Sequence, residues 1–241
     1  MDGLTPRQRA RVETTRRIKD LALGQLATSG AGELSLRAIA RELNLVSSAV
    51  YRYYPSRDDL VTDLIVDAYE DLAERLGTAS CQEATDRQAW IRAALTLREW
   101  AVDAPHRFAL IYGSPIPAYT APERTIAPAA RVVAVLMSVA VAGRVPAEAQ
   151  LPSLLARQLS TAAELFDSGG AGAAPVASER TGTPTPHQVL AFAAAFSQLI
   201  GALTLELGGH FVGTFTPADE LYAALVDSHA DALGLSDAPR P

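Results

Sequence analysis

The sequence predicts an all-α protein, with an N-terminal three-helix helix-turn-helix unit and a C-terminal helical bundle. Apolar residues recur three and four positions apart through most of the 241 residues, which is the period of a helix with one buried face. No stretch alternates with period two for long enough to make a convincing strand. Prolines stand at or near the starts of later helical segments, where a missing N–H is tolerated: Pro105, Pro122, Pro146, Pro186 and Pro217.

Residues 35–54, SLRAIARELNLVSSAVYRYY, are predicted to form two short helices joined by a tight turn. Ser35 is a good N-cap for the first helix, since its hydroxyl can accept a backbone N–H of the first turn. Asn44 suits the left-handed residue that ends this helix. Leu45 is then expected to point into the small core.

The second of these helices is expected to begin with Ser47 or Ser48 as its cap and to turn Val50 inward. Its remaining face is polar. Two helices at a steep angle, with a polar second one, form the helix-turn-helix arrangement that places a recognition helix in the major groove of DNA. An ordinary helical hairpin gives the same periodicity, so the pattern alone leaves both interpretations open.

Charge is divided unevenly along the chain, although its net value is −6. The first 57 residues carry ten Lys/Arg and five Asp/Glu, whereas the remaining 184 carry 11 and 22. A basic head on an acidic body suits phosphate contact by the head alone. Five arginines crowd the first helix, which begins at Thr5-Pro6 and ends near Gly30, and they either reach DNA or form a solvated face: Arg7, Arg9, Arg11, Arg16 and Arg17.

The rest of the chain is predicted to be helical. Ser56 and Asp59 resemble a capping box, and a leucine-rich stripe continues that helix to about Gly77, followed by a linker over 78–85. Further helices are predicted at about 86–104, 105–112, 121–143, 147–167, 187–208 and 217–234. Residues 168–185, rich in Gly, Ala, Pro and Thr, are predicted to be a flexible loop. The domain boundary is placed between residues 1–76 and 77–241.

Several observations favour a cytoplasmic protein that does not enter a membrane. Cys81 is the one cysteine, so no internal disulfide can form. No secretory signal pattern is present at the start of the sequence. Unbroken apolar runs such as Val132–Met137 are far shorter than the roughly 18 residues that a spanning helix needs.

Residue types that commonly act in catalysis or bind metals do not occur in a recognisable pattern. The four histidines are scattered, and no Ser/His/Asp spacing, HxxxH pattern or Gly-rich phosphate loop occurs. We therefore predict no catalytic residue, no metal and no cofactor. The remaining rival to a DNA-binding protein is a helical protein-interaction module whose basic head is incidental, and the salt dependence of DNA binding would separate the two.

The segment SLRAIARELNLVSSAVYRYYPSRDDLVTDLI, residues 35–65, resembles the DNA-binding domain of the TetR (tetracycline repressor) family of bacterial transcription regulators. The second half is similar to the WHG type of C-terminal ligand-binding domain in REWAVDAPHRFALIYGSPIPAY and in LELGGHF at 205–211. Three residues depart from the family pattern: Asn44 replaces the usual Gly, Tyr53 a frequent His, and Tyr54 a frequent Phe.

The resemblance implies a set of DNA contacts. Phosphates would be touched by Ser35, Tyr51 and Tyr53, and the DNA backbone by Arg57. Bases would be faced by four residues of the second short helix and its start: Val46, Ser47, Ser48 and Arg52. The guanidinium of Arg52 could read guanine O6 and N7 or clamp a phosphate, and both remain open.

The resemblance also implies a homodimer on a palindromic operator and an unidentified small-molecule effector that relieves repression. We expect the helices near 147–167 and 187–208 to form the dimer contact. The candidate ligand pocket contains Trp100, His106, Phe108, Tyr112, Tyr119, Met137, Glu164 and Phe166, with Arg98 as a further polar group. Ordinary core packing is the alternative for each aromatic residue.

Overall fold

A computed structural model of the chain describes residues 5–147, 150–167 and 183–239. These residues form ten α-helices and two short 3-10 helices, which confirms the all-α prediction. The helices are α1 (Pro6–Ser29), α2 (Leu36–Glu42), α3 (Ser47–Tyr51), α4 (Arg57–Cys81), α5 (Asp86–Asp103), α6 (Pro105–Tyr112), α7 (Ile126–Ala140), α8 (Ser153–Asp167), α9 (Pro186–Leu207) and α10 (Asp219–Ala232).

The chain divides into two compact units. The head unit contains Met1–Ala68 and Ala104–Thr125, and the body unit contains Tyr69–Asp103 and Ile126–Pro241. The predicted domain boundary after residue 76 falls inside α4 and stays a prediction. The predicted loop at 168–185 lies, apart from its last three residues, outside the described residues.

In the head unit, α1 begins where the sequence predicts. The Thr5 hydroxyl accepts the backbone N–H of Gln8 at 3.3 Å, and the Gln8 side chain accepts the N–H of Thr5 at 2.8 Å, which completes a capping box. Ile18, Ala22 and Leu26 form one buried stripe along the helix. Because α1 contacts both α2 and α6, this stripe anchors the helix-turn-helix to the rest of the head.

The predicted helix end at Gly77 is wrong, because α4 continues to Cys81 and takes up part of the predicted linker. A glycine inside a helix costs only about 1 kcal/mol relative to alanine. On the added turn, Ser80 is buried and its hydroxyl donates to the carbonyl of Gly77 at 3.2 Å, so this turn packs against the rest of the protein.

In the body unit, α5 contacts α7, α9 and α10, and its Trp90, Leu97 and Trp100 side chains are buried. The ends of α7 and α10 meet closely at Gly143 and Gly234. A Cβ on Gly143 would lie 2.0 Å from the carbonyl oxygen of Leu233. Gly234 has a φ of +64°, which glycine adopts without strain.

Two helices of the body start later than predicted. α7 begins at Ile126 rather than near 121, because a 3-10 turn over Glu123–Thr125 precedes it. α8 begins at Ser153 rather than near 147. The residue before a proline avoids the helical region, so Pro152 prevents α8 from starting earlier.

Candidate nucleic-acid interface

The turn between α2 and α3 has the geometry that the sequence predicts. Asn44 has a φ of +55°, in the left-handed region that Asn tolerates. The N–H of Leu45 donates to the carbonyl of Ala40 at 2.9 Å, so the chain reverses directly after α2. At the other end of α2, the Ser35 hydroxyl accepts the N–H of Ala38 at 3.3 Å, which confirms the predicted cap.

The start of α3 differs from the prediction. The N-cap residue is Val46, with extended backbone angles and no side-chain cap bond, so neither Ser47 nor Ser48 caps the helix. Leu45 is 38% exposed rather than pointing into the core. The reason is that Leu43, Ala49 and Val50 already fill the inner positions of the helix-turn-helix.

Five of the predicted DNA-contacting residues are exposed together on α3 and its two ends. We call them the α3 surface: Val46, Ser47, Ser48, Tyr51 and Arg52. Within the described part of the chain, Arg52 has no ion-pair partner, so its charge is available to a bound polyanion. A short exposed helix that follows a tight turn suits insertion into a major groove.

The other three predicted contacts are half-buried. Ser35 is occupied as the α2 cap. The Tyr53 ring lies beneath the guanidinium of Arg11, with 5.1 Å between the Arg11 carbon and the ring centroid, and this cation–π contact joins α1 to the end of α3. Arg57 donates to the carbonyls of Ala31 and Gly32, so it holds the α1–α2 loop.

Positive charge on the head is only partly neutralised. Several exposed arginines have no ion-pair partner among the residues that the structure describes, including Arg7, Arg9, Arg37, Arg41 and Arg52. By contrast, Arg16 pairs with Glu13 and Asp20 on its own helix. The unneutralised guanidinium groups give the head the electrostatic character that phosphate binding requires.

A hydrogen-bonded group that sequence reasoning missed supports the helix-turn-helix. The Tyr54 hydroxyl donates to Asp63 on α4 at 3.1 Å, and Asp63 also pairs with Arg124 at 2.7 Å and with Lys19 at 3.6 Å. Burial, reinforced by the Asp63 charge, raises the pKa of Tyr54. The signal available in the sequence was Tyr54 itself, since a hydroxyl where the family often has Phe requires a partner when buried.

The predicted pocket residues are divided between the two units. His106, Phe108, Tyr112 and Tyr119 belong to the head, where the Phe108 and Tyr112 rings lie 5.5 Å apart. The Tyr119 hydroxyl lies 3.0 Å from the hydroxyl of Thr62. Burial lowers the pKa of His106, with a smaller contribution from the Arg107 charge.

The remaining pocket candidates belong to the body. Trp100 is buried and its indole N–H donates to Asp71 at 2.8 Å. Met137 is buried, Phe166 is half-buried and Glu164 is exposed. The structure therefore does not gather the eight residues within one unit, and the ligand pocket stays a prediction.

A capped helix, a left-handed turn, an exposed second helix and unneutralised arginines make up a helix-turn-helix, the arrangement that many DNA-binding proteins share. Two family models match the chain: that of bacterial regulatory proteins of the tetR family at residues 18–64, and that of the tetracyclin repressor-like C-terminal domain at residues 90–229. The chain belongs to the TetR family. A helical interaction module with an incidental basic head is not favoured.

Individual relatives agree with this assignment. The HTH-type transcriptional regulator Rv1816 of Mycobacterium tuberculosis H37Rv is 45% identical over 157 residues, which cover 63% of this chain and 66% of that protein. The regulator Mb1846 of Mycobacterium bovis matches to the same extent. The matched segment thus spans just under two thirds of the length of these relatives.

Solved structures show the same fold. The crystal structure of the regulatory protein SCO4313 is 34% identical, with a TM-score of 0.71, and the match covers 94% of this chain and all of that one. A TetR family transcription regulator from Marinobacter aquaeolei VT8 has a TM-score of 0.57, covering 93% and 97% of the two chains. At 17% identity, the second likeness concerns the fold alone.

Proposed function

We propose that the chain is a cytoplasmic, homodimeric repressor that binds a palindromic operator and releases it when a small molecule binds. The observation that carries the proposal is the exposed α3 surface, on a head unit that carries further exposed arginines without ion-pair partners among the described residues. The proposed phosphate contacts are Ser35, Tyr51 and Tyr53. Arg52 reads a base or clamps a phosphate, and we propose no catalytic role for any residue.

The dimer contact is proposed on α8 and α9. The most apolar 18-residue window of α9 has a mean hydropathy of 1.6, yet only 28% of it is buried inside the chain. Four leucines of the two helices are exposed: Leu154, Leu165, Leu190 and Leu205. Contiguous exposed apolar surface on a folded protein usually contacts a partner, and a second copy related by two-fold symmetry would cover it.

By length and composition α9 could also cross a membrane, which is weak evidence on its own. Packing favours the dimer contact instead. Phe192, Leu199 and Leu203 on one face of α9 are buried within the body. Near its start, the Gln188 amide donates to the carbonyls of Val141 and Gly143 at 2.9 and 3.0 Å. A helix held in this way along one face leaves the opposite apolar face for another subunit.

The effector is proposed to act by linkage. A ligand that prefers one arrangement of the protein by about 1–3 kcal/mol would change operator affinity about 5–150-fold. The helix over residues 56–76 is the proposed route for this change.

Selection of bound duplexes from random DNA tests the DNA-binding part of the proposal. A palindrome with half-sites on one DNA face is expected, because two-fold protein symmetry imposes it. Arg52→Ala should weaken binding. If Arg52 contacts a phosphate, the magnitude of the negative slope of log affinity against log salt should also fall by about one. Arg92→Ala, which removes an exposed arginine of the body, is the matched control and should change neither quantity.

Two results would contradict the proposal. One is a monomer in solution at micromolar concentration. The other is the absence of binding to any duplex at low ionic strength, where phosphate contacts are strongest.

A further inference from the structure

We propose that Val46 recognises the C5-methyl group of a thymine in each operator half-site. The inference rests on the proposed DNA-binding function and adds to it one element of base specificity. It depends on the exposure of Val46, on its position at the start of α3, and on the chemistry that a major groove presents.

Val46 is 71% exposed, the largest exposed fraction among the large hydrophobic residues that the structure describes in the head unit. Isolated exposed apolar residues are common on protein surfaces, so exposure alone carries little weight. Here, however, the exposed side chain stands directly before Ser47 and Ser48, at the entry to the exposed helix of the helix-turn-helix.

The N-cap position makes valine a poor choice for folding. Ser, Thr, Asp or Asn would satisfy a free N–H of the first turn, whereas β-branched apolar residues are among the least favourable caps. Val46 makes no cap bond, and neither of the two serines that follow supplies one. The Val46 side chain therefore neither packs in the core nor makes a cap bond to its helix. A local departure from folding rules of this kind is typical of a functional position.

The major groove limits what an exposed aliphatic group can recognise. Base edges there present hydrogen-bond donors and acceptors, together with a single apolar group, the methyl of thymine. A valine side chain can neither donate nor accept a hydrogen bond. The thymine methyl is therefore the feature of the groove that Val46 can select, while Ser47 and Ser48 are left to make polar contacts.

The test removes only that methyl. In the operator obtained by selection, each thymine is replaced in turn by deoxyuridine, which keeps every hydrogen-bonding group. For the wild-type protein, replacing one particular thymine of a half-site should weaken binding about fourfold, the value of one buried methyl group. Replacing the same thymine in both half-sites should weaken binding about 15-fold. The other thymines should show no effect.

Val46→Ser is the informative variant, because serine is a favourable N-cap and the protein should remain folded. It should bind the thymine and deoxyuridine operators equally. Val12→Ser, the same change at a 51% exposed position of α1, is the matched control and should keep the wild-type preference.

The outcomes separate this inference from the function on which it rests. The role of Val46 is overturned if the protein binds its operator but no thymine-to-deoxyuridine replacement weakens binding. It is also overturned if Val46→Ser loses as much affinity on that replacement as the wild type. Either result leaves the DNA-binding proposal standing. A wild-type protein that binds no duplex would overturn both.

Discussion

Arg98 on α5 makes an ion pair that joins three helices of the body. Its guanidinium donates to both carboxylate oxygens of Glu206 on α9, at 2.9 and 2.7 Å, and to Asp219 at the start of α10 at 3.0 Å. The side chains of Arg98 and Glu206 are each only 17% exposed. These hydrogen bonds, Glu206 first, hold the pKa of Arg98 above its usual range despite the cost of burial.

Replacing Arg98 by Met keeps the aliphatic stem and leaves the Glu206 carboxylate without its counter-ion. Removal of one partner of a buried pair typically costs about 3–5 kcal/mol. Because both side chains retain some contact with water, we expect a loss of about 2–4 kcal/mol in the free energy of unfolding. For a chain of this size, that corresponds to a fall in Tm of roughly 5–15 °C.

Arg87→Met on the same helix is the matched control. Arg87 also reaches two carboxylates of α10, Asp227 at 2.9 Å and Asp231 at 2.6 Å, but these acids are 62% and 73% exposed. Exposed pairs contribute about 0–1 kcal/mol, so this variant should be nearly as stable as the wild type.

Urea unfolding at one fixed protein concentration measures both variants, since the stability of a dimer depends on concentration. In the double variant Arg98→Met/Glu206→Met, the unpaired charge is removed and most of the stability should return. The reasoning is refuted if Arg98→Met costs no more than Arg87→Met, or if the two substitutions of the double variant destabilise additively.

Two further predictions concern single side chains. Tyr54→Phe should lower the free energy of unfolding by about 1 kcal/mol, since it removes the hydrogen bond to Asp63 and keeps the ring, whereas Tyr53→Phe should have little effect in the same urea experiment. Burial lowers the pKa of His229 below its usual 6.5, so the unfolded chain binds the proton more readily and stability should fall as the pH drops below about 6.5. His229→Gln should reduce that pH dependence and leave the part due to His106, whose pKa burial also lowers; an unchanged slope would contradict the assignment.

Local sequence signals predicted most of the helix starts. The caps at Thr5 and Ser35 are where the sequence indicates. α6 and α9 begin at Pro105 and Pro186, within a residue of prediction. These signals work because caps, prolines and left-handed residues act on backbone groups no more than about four positions away.

The wrong predictions share a physical cause. Ser47 or Ser48 was expected to cap α3, and α4 to end at about Gly77, because each residue type favours that role locally. In the structure, α3 begins at Ser47 with Val50 buried, and α4 continues past Gly77 with Leu76 buried. Local preferences of about 1 kcal/mol yield to the burial of a large apolar side chain, which is worth about 1.5–3 kcal/mol.

By itself, the sequence determined the all-α fold, the helix-turn-helix with its turn at Asn44, and the basic character of the head. Only the tertiary structure decided which side chains meet. Arg98 lies 108 positions from Glu206 in the chain, and no periodicity could pair them. The tertiary structure likewise showed that Val46 is exposed and that α3 lacks a side-chain cap bond. The sequence could not show this exposure, because burial depends on which distant helices cover a residue, whereas secondary structure depends largely on near neighbours.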